Sequence, residues 1–118
     1  MIRCILPWPP RALSPNSRHA HWASLARAKR GYRAACAWRA LEQGARRVDC
    51  EWLLVSIVFH PPDRRRRDLD NCIAAMKAGL DGLADVLGVD DSRWELAATM
   101  GEPRKGGAVA VTVEGECQ

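Results

Sequence analysis

The sequence predicts an α+β fold, in which a small mixed sheet carries two main helices and the elements follow in the order β-α-β-α-β-β. Short apolar runs rich in β-branched and aromatic residues alternate with two longer segments of helical periodicity. Clusters of proline and glycine separate these segments. The chain has 118 residues, of which 47% are apolar and 27% charged, so we expect one globular domain over residues 1–118.

The first part of the chain predicts a strand, a stiff loop and a helix. Arg3–Leu6 is a short apolar run that stops at Pro7-Trp8-Pro9-Pro10, because three prolines in four residues cannot continue a strand. From about His21 to Gln43 the chain is rich in alanine and free of proline, and its apolar residues recur at helical spacing from Trp22 onward. We expect one long amphipathic helix with a basic side, capped by Gly44.

The middle of the chain predicts a central strand and a second helix. Cys50–Phe59 combines branched and aromatic residues over the length of a strand. Asp63–Arg67 is expected to be a loop. The next helix is expected to begin near Asp68 or Asp70 and to run to about Val86, because apolar residues recur there every three or four positions.

Two further strands are expected near the end of the chain. Trp94–Met100 and Ala108–Val113 both suit strands, and the intervening Glu102–Gly107 segment is rich in residues that break regular structure. This arrangement predicts a β-hairpin.

Composition and absent motifs exclude several classes of protein. The longest nearly apolar run, Trp52–Phe59, is far shorter than the roughly 20 residues that span a bilayer, so no membrane association is expected. Because Pro7 interrupts the N-terminal apolar run before a secretory signal can form, we expect a cytoplasmic protein. No phosphate-binding G-x-x-x-x-G-K-[ST] motif is present, which argues against a nucleotide cofactor. Five cysteines without a C-x-x-C pair predict reduced thiols rather than a zinc site.

The segment with the clearest chemistry is Asp63–Asn71, which reads D-R-R-R-R-D-L-D-N. Its two later aspartates, Asp68 and Asp70, would point the same way in an extended chain, and Asp90-Asp91 follows about twenty residues on. Mg²⁺ prefers such hard oxygen ligands and typically takes one or two carboxylates together with substrate phosphate. Arginine pairs with phosphate oxygens through two parallel hydrogen bonds. The pattern therefore indicates metal-assisted cleavage of phosphodiesters.

A structural interpretation of the same residues remains open. Asp68 or Asp70 would stabilise the helix by about 1 kcal/mol as an N-cap. Asp90-Asp91 is common turn chemistry after a glycine. An arginine run is in many proteins only a solvated face.

Four motifs resemble, in order and spacing, those of the RusA family of Holliday junction resolvases. They are L-P-W-P-P (Leu6–Pro10), P-D-R-R-R-R-D-L-D-N (Pro62–Asn71), V-D-D-S (Val89–Ser92) and K-G-G (Lys105–Gly107). The resemblance runs from Ile5 to about Val113. It implies a RusA-like fold and a homodimeric, Mg²⁺-dependent endonuclease, in which Mn²⁺ can substitute. Such enzymes cut two opposed strands of a four-way DNA junction during recombination and repair, and prophages often carry them.

The resemblance also implies the site residues. The acidic cluster maps onto Asp68, Asp70 and Asp91, with Asp90 beside them. The family commonly has a catalytic lysine where this chain has Ala74. Lys77 lies on roughly the same helix face, one turn further on, and is the candidate replacement.

We expect the basic residues near these motifs to bind DNA phosphates. They are Arg64, Arg65, Arg66, Arg67, Lys29, Arg33, Arg104 and Lys105. Trp8 and Trp22 are candidates to stack on unpaired bases. Two other functions stay open, namely a non-catalytic nucleic-acid-binding module and a nuclease that acts on flaps or forks.

Overall fold

The computed structural model describes residues 1–15 and 22–117, the last two by their backbone only. The expected helix start at His21 therefore lies outside the described residues. An α+β fold with a four-stranded mixed sheet and two helices is confirmed. Its elements are β1 (Ile2–Leu6), α1 (Trp22–Glu42), β2 (Cys50–His60), α2 (Leu69–Leu87), β3 (Trp94–Met100) and β4 (Ala108–Cys117), with 3₁₀ turns at Arg11–Leu13 and Asp91–Arg93.

The sheet has the strand order β1-β4-β2-β3. Strand β4 runs antiparallel to both β1 and β2, whereas β3 runs parallel to β2 at the opposite edge. The predicted hairpin of β3 and β4 is therefore wrong. Val109, Val111 and Val113 are buried, so β4 takes an inner position in the sheet, while the largely exposed β3 takes an edge.

The core lies between the helices and one face of the sheet. Alternate residues of β2 from Leu53 to Phe59 are buried, as is one face of α2 that includes Cys72, Met76, Leu80, Leu83 and Leu87. Helix α1 buries only one row, Tyr32, Cys36 and Ala40. The buried apolar face of α1 is therefore narrower than the sequence predicts.

Two tryptophans of α1 lie outside its buried row. Trp22 is 81% exposed and Trp38 is 67% exposed. Trp38 lies about 120° around the helix from Tyr32, so it points away from the core. No helix in the described ranges, 1–15 and 22–117, is long and apolar enough to cross a bilayer.

The cysteines are only partly as expected. Cys4, Cys36 and Cys72 are free and buried. Cys50 is disulfide-bonded, so the expectation of reduced thiols is wrong at this residue. The antiparallel register of β2 and β4 places Cys50 opposite Cys117.

Candidate active site

Three of the four sequence motifs meet at one end of the sheet. The loop between β3 and β4 crosses the end of β2, since the amide of Gly101 donates to the Phe59 carbonyl at 2.8 Å and that of Arg104 to the Pro61 carbonyl at 2.9 Å. Gly107 then packs so closely on the proline loop that a Cβ on it would lie 2.8 Å from the Cβ of Trp8. The backbone of Gly107 also has a positive φ of 73°, which favours glycine.

Trp8 connects the proline loop to the arginine run. Its ring meets Phe59 edge-on at 6.0 Å between centroids, and the Arg67 guanidinium carbon lies 5.7 Å from the Trp8 centroid. Tyr32 of α1 donates a 2.7 Å hydrogen bond to the Pro7 carbonyl, which ties the same loop to the helix layer. The cation that lies over the Trp8 ring is therefore Arg67 of the same chain.

The four arginines of the run have different environments. Arg67 donates to the Asp63 carboxylate at 2.8 Å, and the amide of Arg65 donates to the same carboxylate at 2.9 Å. The hydrogen bond from Arg67 lowers the pKa of Asp63 to about 2. The Arg67 side chain is 23% exposed, whereas that of Arg65 is 78% exposed. Asp63 and Arg67 thus hold the loop in shape.

The remaining arginines of the run are available to a ligand. Arg64 and Arg66 are exposed and make no hydrogen bond or ion pair with any residue of the described ranges. A cleft of about 610 Å³ opens beside Arg66, and its lining also includes Trp8, Arg65, Arg67, Asp68 and Asn71. The cleft lies at the N-terminal end of α2, where helix amides and the helix dipole favour anions.

Asp68 and Asp70 lie at the start of α2. Asp68 is the N-cap residue, but its side chain makes no capping hydrogen bond. Asp70 is exposed in the first turn. Neither carboxylate has a hydrogen bond or ion pair within the part of the chain that the structure describes. Because α2 begins at Leu69, the extended chain expected to align these two side chains is absent. Asp68 lines the cleft, and Asp70 lies outside its lining.

The second acidic pair, Asp90 and Asp91, makes hydrogen bonds away from the cleft at the start of α2. The hydrogen bond from the Ser92 side chain, together with the one from the Ser92 amide at 3.1 Å, lowers the pKa of Asp90. Lys77 donates to the carboxylate of Asp91 and, at 3.2 Å, to that of Asp81. The hydrogen bond to Asp91 is the main cause that raises the pKa of Lys77.

The predicted carboxylate cluster does not come together within one chain. No group of three or more His, Cys, Asp or Glu side chains in residues 1–15 and 22–117 is arranged to hold a metal ion. Asp91 contacts Lys77, which lies seven residues beyond Asp70 and therefore about 10 Å further along the helix axis.

The other predicted DNA-binding residues lie on two surfaces. Lys29 lines a second cleft, of about 380 Å³, between α1 and α2, together with Arg30 and Lys77. Arg33 lines the same cleft, but two hydrogen bonds of 2.7 and 2.8 Å hold it to Asp85 and lower the pKa of that carboxyl.

Arg104 and Lys105 lie on the other surface, next to the arginine run. Both are exposed on the loop between β3 and β4. The backbone bond from Arg104 to Pro61 brings that loop next to the arginine run.

Sequence reasoning missed two contacts at the site. The Nδ1 atom of buried His60 lies 2.8 Å from the Glu102 carbonyl and fixes the crossing loop. Asp81 holds Lys77, and the four-residue spacing of that pair on a helix was a usable signal. The His60 contact joins residues 42 positions apart and has no local signal.

No protein-family model matches the sequence. The chain is 39% identical over 117 residues to a protein of Xylella fastidiosa (strain Temecula1 / ATCC 700964) named "Uncharacterized protein", and the match covers 96% of this chain and 76% of that protein. The chain belongs to the family of this Xylella protein. The similarity to the Xylella protein therefore extends over nearly the whole fold, well beyond the arginine and aspartate motif.

Proposed function

We propose that this protein is a Mg²⁺-dependent endonuclease of branched DNA that resolves four-way junctions, as its resemblance to the RusA family implies. One observation carries the proposal. Arg66 and Asp68, both exposed and without a side-chain partner among the described residues, line the same cleft. Arg64 and Asp70, equally exposed and unpaired, each lie two residues from one of them in the chain. Elsewhere on the described surface Arg33 is paired with Asp85, and Lys77 with Asp81 and Asp91. Unpaired charges of both signs at one cleft suit a ligand that brings phosphate together with a cation.

The start of α2 fits a hydrated Mg²⁺ in part. Mg²⁺ needs only one or two carboxylates when water and phosphate complete its shell, and Asp68 and Asp70 are free to supply them. When bound, the ion would activate a water molecule and stabilise the developing charge on phosphate. Asp91 would be a third ligand, but in this structure its carboxylate is paired with Lys77.

The chain's own residues would bind and orient the strand. Arg64 and Arg66 would pair with phosphate oxygens, while Asp63 and Arg67 keep the loop that carries them in shape. The N-terminus of α2 would place its amides toward the phosphate at the same cleft. Arg104 and Lys105, on the adjoining loop, would contact a neighbouring phosphate.

We infer that a homodimer performs the reaction. A four-way junction has approximate two-fold symmetry, and a two-fold dimer presents two matching sites to it. At the β1 edge of the sheet the Gln43 side chain occupies the backbone of Ile5, since it donates to the Ile5 carbonyl at 2.8 Å and accepts from the Ile5 amide at 2.7 Å. The β3 edge instead exposes Leu96 and Met100, at 40% and 38%. The apolar β3 edge supports contact with a second copy there.

The test is cleavage of a labelled synthetic four-way junction with Mg²⁺ and with EDTA. We expect paired nicks on opposed strands in Mg²⁺, comparable nicking in Mn²⁺ and none in EDTA. Binding without nicking in any divalent cation would contradict the proposal. It would favour a non-catalytic nucleic-acid-binding module, which the Lys77–Asp91 pair and Ala74 already support. Flap and fork substrates in parallel assays would reveal a nuclease with a different branch preference.

Removing one unpaired arginine is expected to weaken the salt dependence of junction binding. In Arg66→Ala the slope of log K against log salt concentration should decrease in magnitude by about 0.9 for each phosphate that the protein no longer neutralises. Thermal stability should stay unchanged, because Arg66 makes no hydrogen bond within the described ranges. Binding titrations at several salt concentrations measure the slope.

The matched control for that experiment is Arg46→Ala. Arg46 is an exposed arginine that precedes β2, at the opposite end of the sheet from the cleft. Its removal should leave the slope unchanged. Equal slopes for the two variants would show that the arginine loop is not part of the DNA-binding surface.

A further inference from the structure

Two clefts on the helix layer meet along α2. The first is the cleft at the start of α2, and the second is the smaller cleft between α1 and α2. Ala75 lines both of them. On the neighbouring 3₁₀ turn, Leu13 lines the second cleft and Ser14, directly after it, lines the first. The two clefts therefore form one groove, which follows α2 from Asn71 to Ala78 over about 10 Å.

Each end of this groove has two exposed cations. They are Arg11 and Arg66 in the first cleft, and Lys29 and Arg30 in the second. None of these four side chains has a hydrogen bond or ion pair with another residue of the ranges 1–15 and 22–117. The acidic residue in the lining of the second cleft, Asp81, is neutralised by Lys77. Both linings therefore carry a net positive charge, which attracts phosphate.

Most of the uncharged lining of the groove is apolar. It includes Pro9, Pro10, Leu13, Ala75 and Ala78. A DNA duplex keeps its bases stacked inside and presents mainly phosphates, so it would leave this apolar lining uncovered. An unpaired strand presents phosphates together with the faces of its bases. Proteins bind such strands in basic grooves that also contact the bases.

We propose that this groove holds a short unpaired stretch of the DNA strand at the branch point, with phosphates on Arg66 at one end and on Lys29 and Arg30 at the other. This inference rests on the proposed function, because it takes branched DNA as the ligand. A length of about 10 Å suits roughly three nucleotides at the 3.4 Å rise of a stacked strand. Unpairing costs least where the bases are already mismatched, so DNA with mismatches at the branch point should bind more tightly.

The experiment measures binding of labelled oligothymidylate, and of a labelled duplex of the same length, by fluorescence anisotropy in EDTA. For oligothymidylate, Lys29→Met/Arg30→Met should decrease the slope of log K against log salt concentration by about 1.4, or about 0.7 for each lost phosphate contact. Arg39→Met/Arg46→Met removes the same charge from two exposed arginines outside the lining of both clefts, so it should leave the slope unchanged. Binding to the duplex should change little in either variant.

A steric variant tests the groove without changing its charge. Ala74 is exposed on α2 and lines the second cleft, so Ala74→Phe should fill that cleft without disturbing the core. The affinity for oligothymidylate should decrease by about five-fold or more, which is the effect of losing one base contact. Ala34→Phe, at an exposed position of α1 outside both linings, should leave this affinity unchanged.

A last measurement compares two four-way junctions in EDTA, one fully paired and one with mismatched bases at the branch point. The parent should bind the mismatched junction more tightly, and Lys29→Met/Arg30→Met should lose most of this preference. Equal salt slopes for the two double variants, or equal losses on oligothymidylate and duplex, would overturn the inference. Cleavage of junctions by a protein that does not bind oligothymidylate would refute the groove and leave the proposed function intact. Binding in the groove without cleavage in Mg²⁺ would support the groove and refute the nuclease.

Discussion

Asp70→Asn is expected to abolish cleavage of four-way junctions while leaving junction binding within about two-fold of the parent. Asparagine keeps the size of the side chain but lacks the negative charge that a hard cation requires. Removing even an outer-shell partner of a metal costs 10–100-fold, so removal of a direct ligand should lower the rate by at least about 100-fold. Asp70 makes no hydrogen bond within the described part of the chain, so the fold should be unaffected.

The control for this variant is Asp49→Asn, which changes an exposed aspartate just before β2, at the far end of the sheet. It should cut at the parental rate. Binding is measured by gel shift in EDTA and cutting by single-turnover kinetics in Mg²⁺. Parental cleavage by Asp70→Asn would show that this carboxylate holds no catalytic ion. Loss of binding together with cleavage would show a structural role instead.

The local elements of the site could be predicted because their signals lie within a few residues. Helix α2 begins after Asp68 and ends at Gly88, whose φ of 72° places it in the left-handed region that favours glycine. Turn and cap residues act over one helical turn, so the sequence alone predicts such limits. The loop that carries the arginines was predicted for the same reason.

The partners of the charged residues could not be predicted. Whether Asp91 meets Asp70 or Lys77 depends on where the turn after α2 returns against the helix, which no local pattern determines. The position of β4 between β1 and β2 was missed, because strand order depends on which strand pairs along both of its edges. That pairing joins strands that are far apart in the sequence. Trp22 carries the apolar spacing of a core residue and yet is exposed, since α1 buries only one row.

Gly82→Ala is expected to destabilise the protein by about 2 kcal/mol. Helices α1 and α2 touch at this glycine, where a Cβ would overlap the backbone oxygen of Arg33 and lie 3.3 Å from the amide nitrogen of Ala37. Backbone atoms of a packed helix cannot move aside as a flexible side chain can, so the helices must separate. Overpacking of this kind costs about 3 kcal/mol at the upper end of its usual range. The better helix propensity of alanine offsets about 1 kcal/mol.

Gly31→Ala provides the matched control, because a Cβ on Gly31 meets no atom of the described residues within 4 Å. This substitution, in the exposed middle of α1, should stabilise the protein by about 0.5–1 kcal/mol. Thermal unfolding should show a midpoint roughly 6–12 °C lower for Gly82→Ala and a few degrees higher for Gly31→Ala. If both variants gained stability, the close approach of α1 and α2 would be wrong.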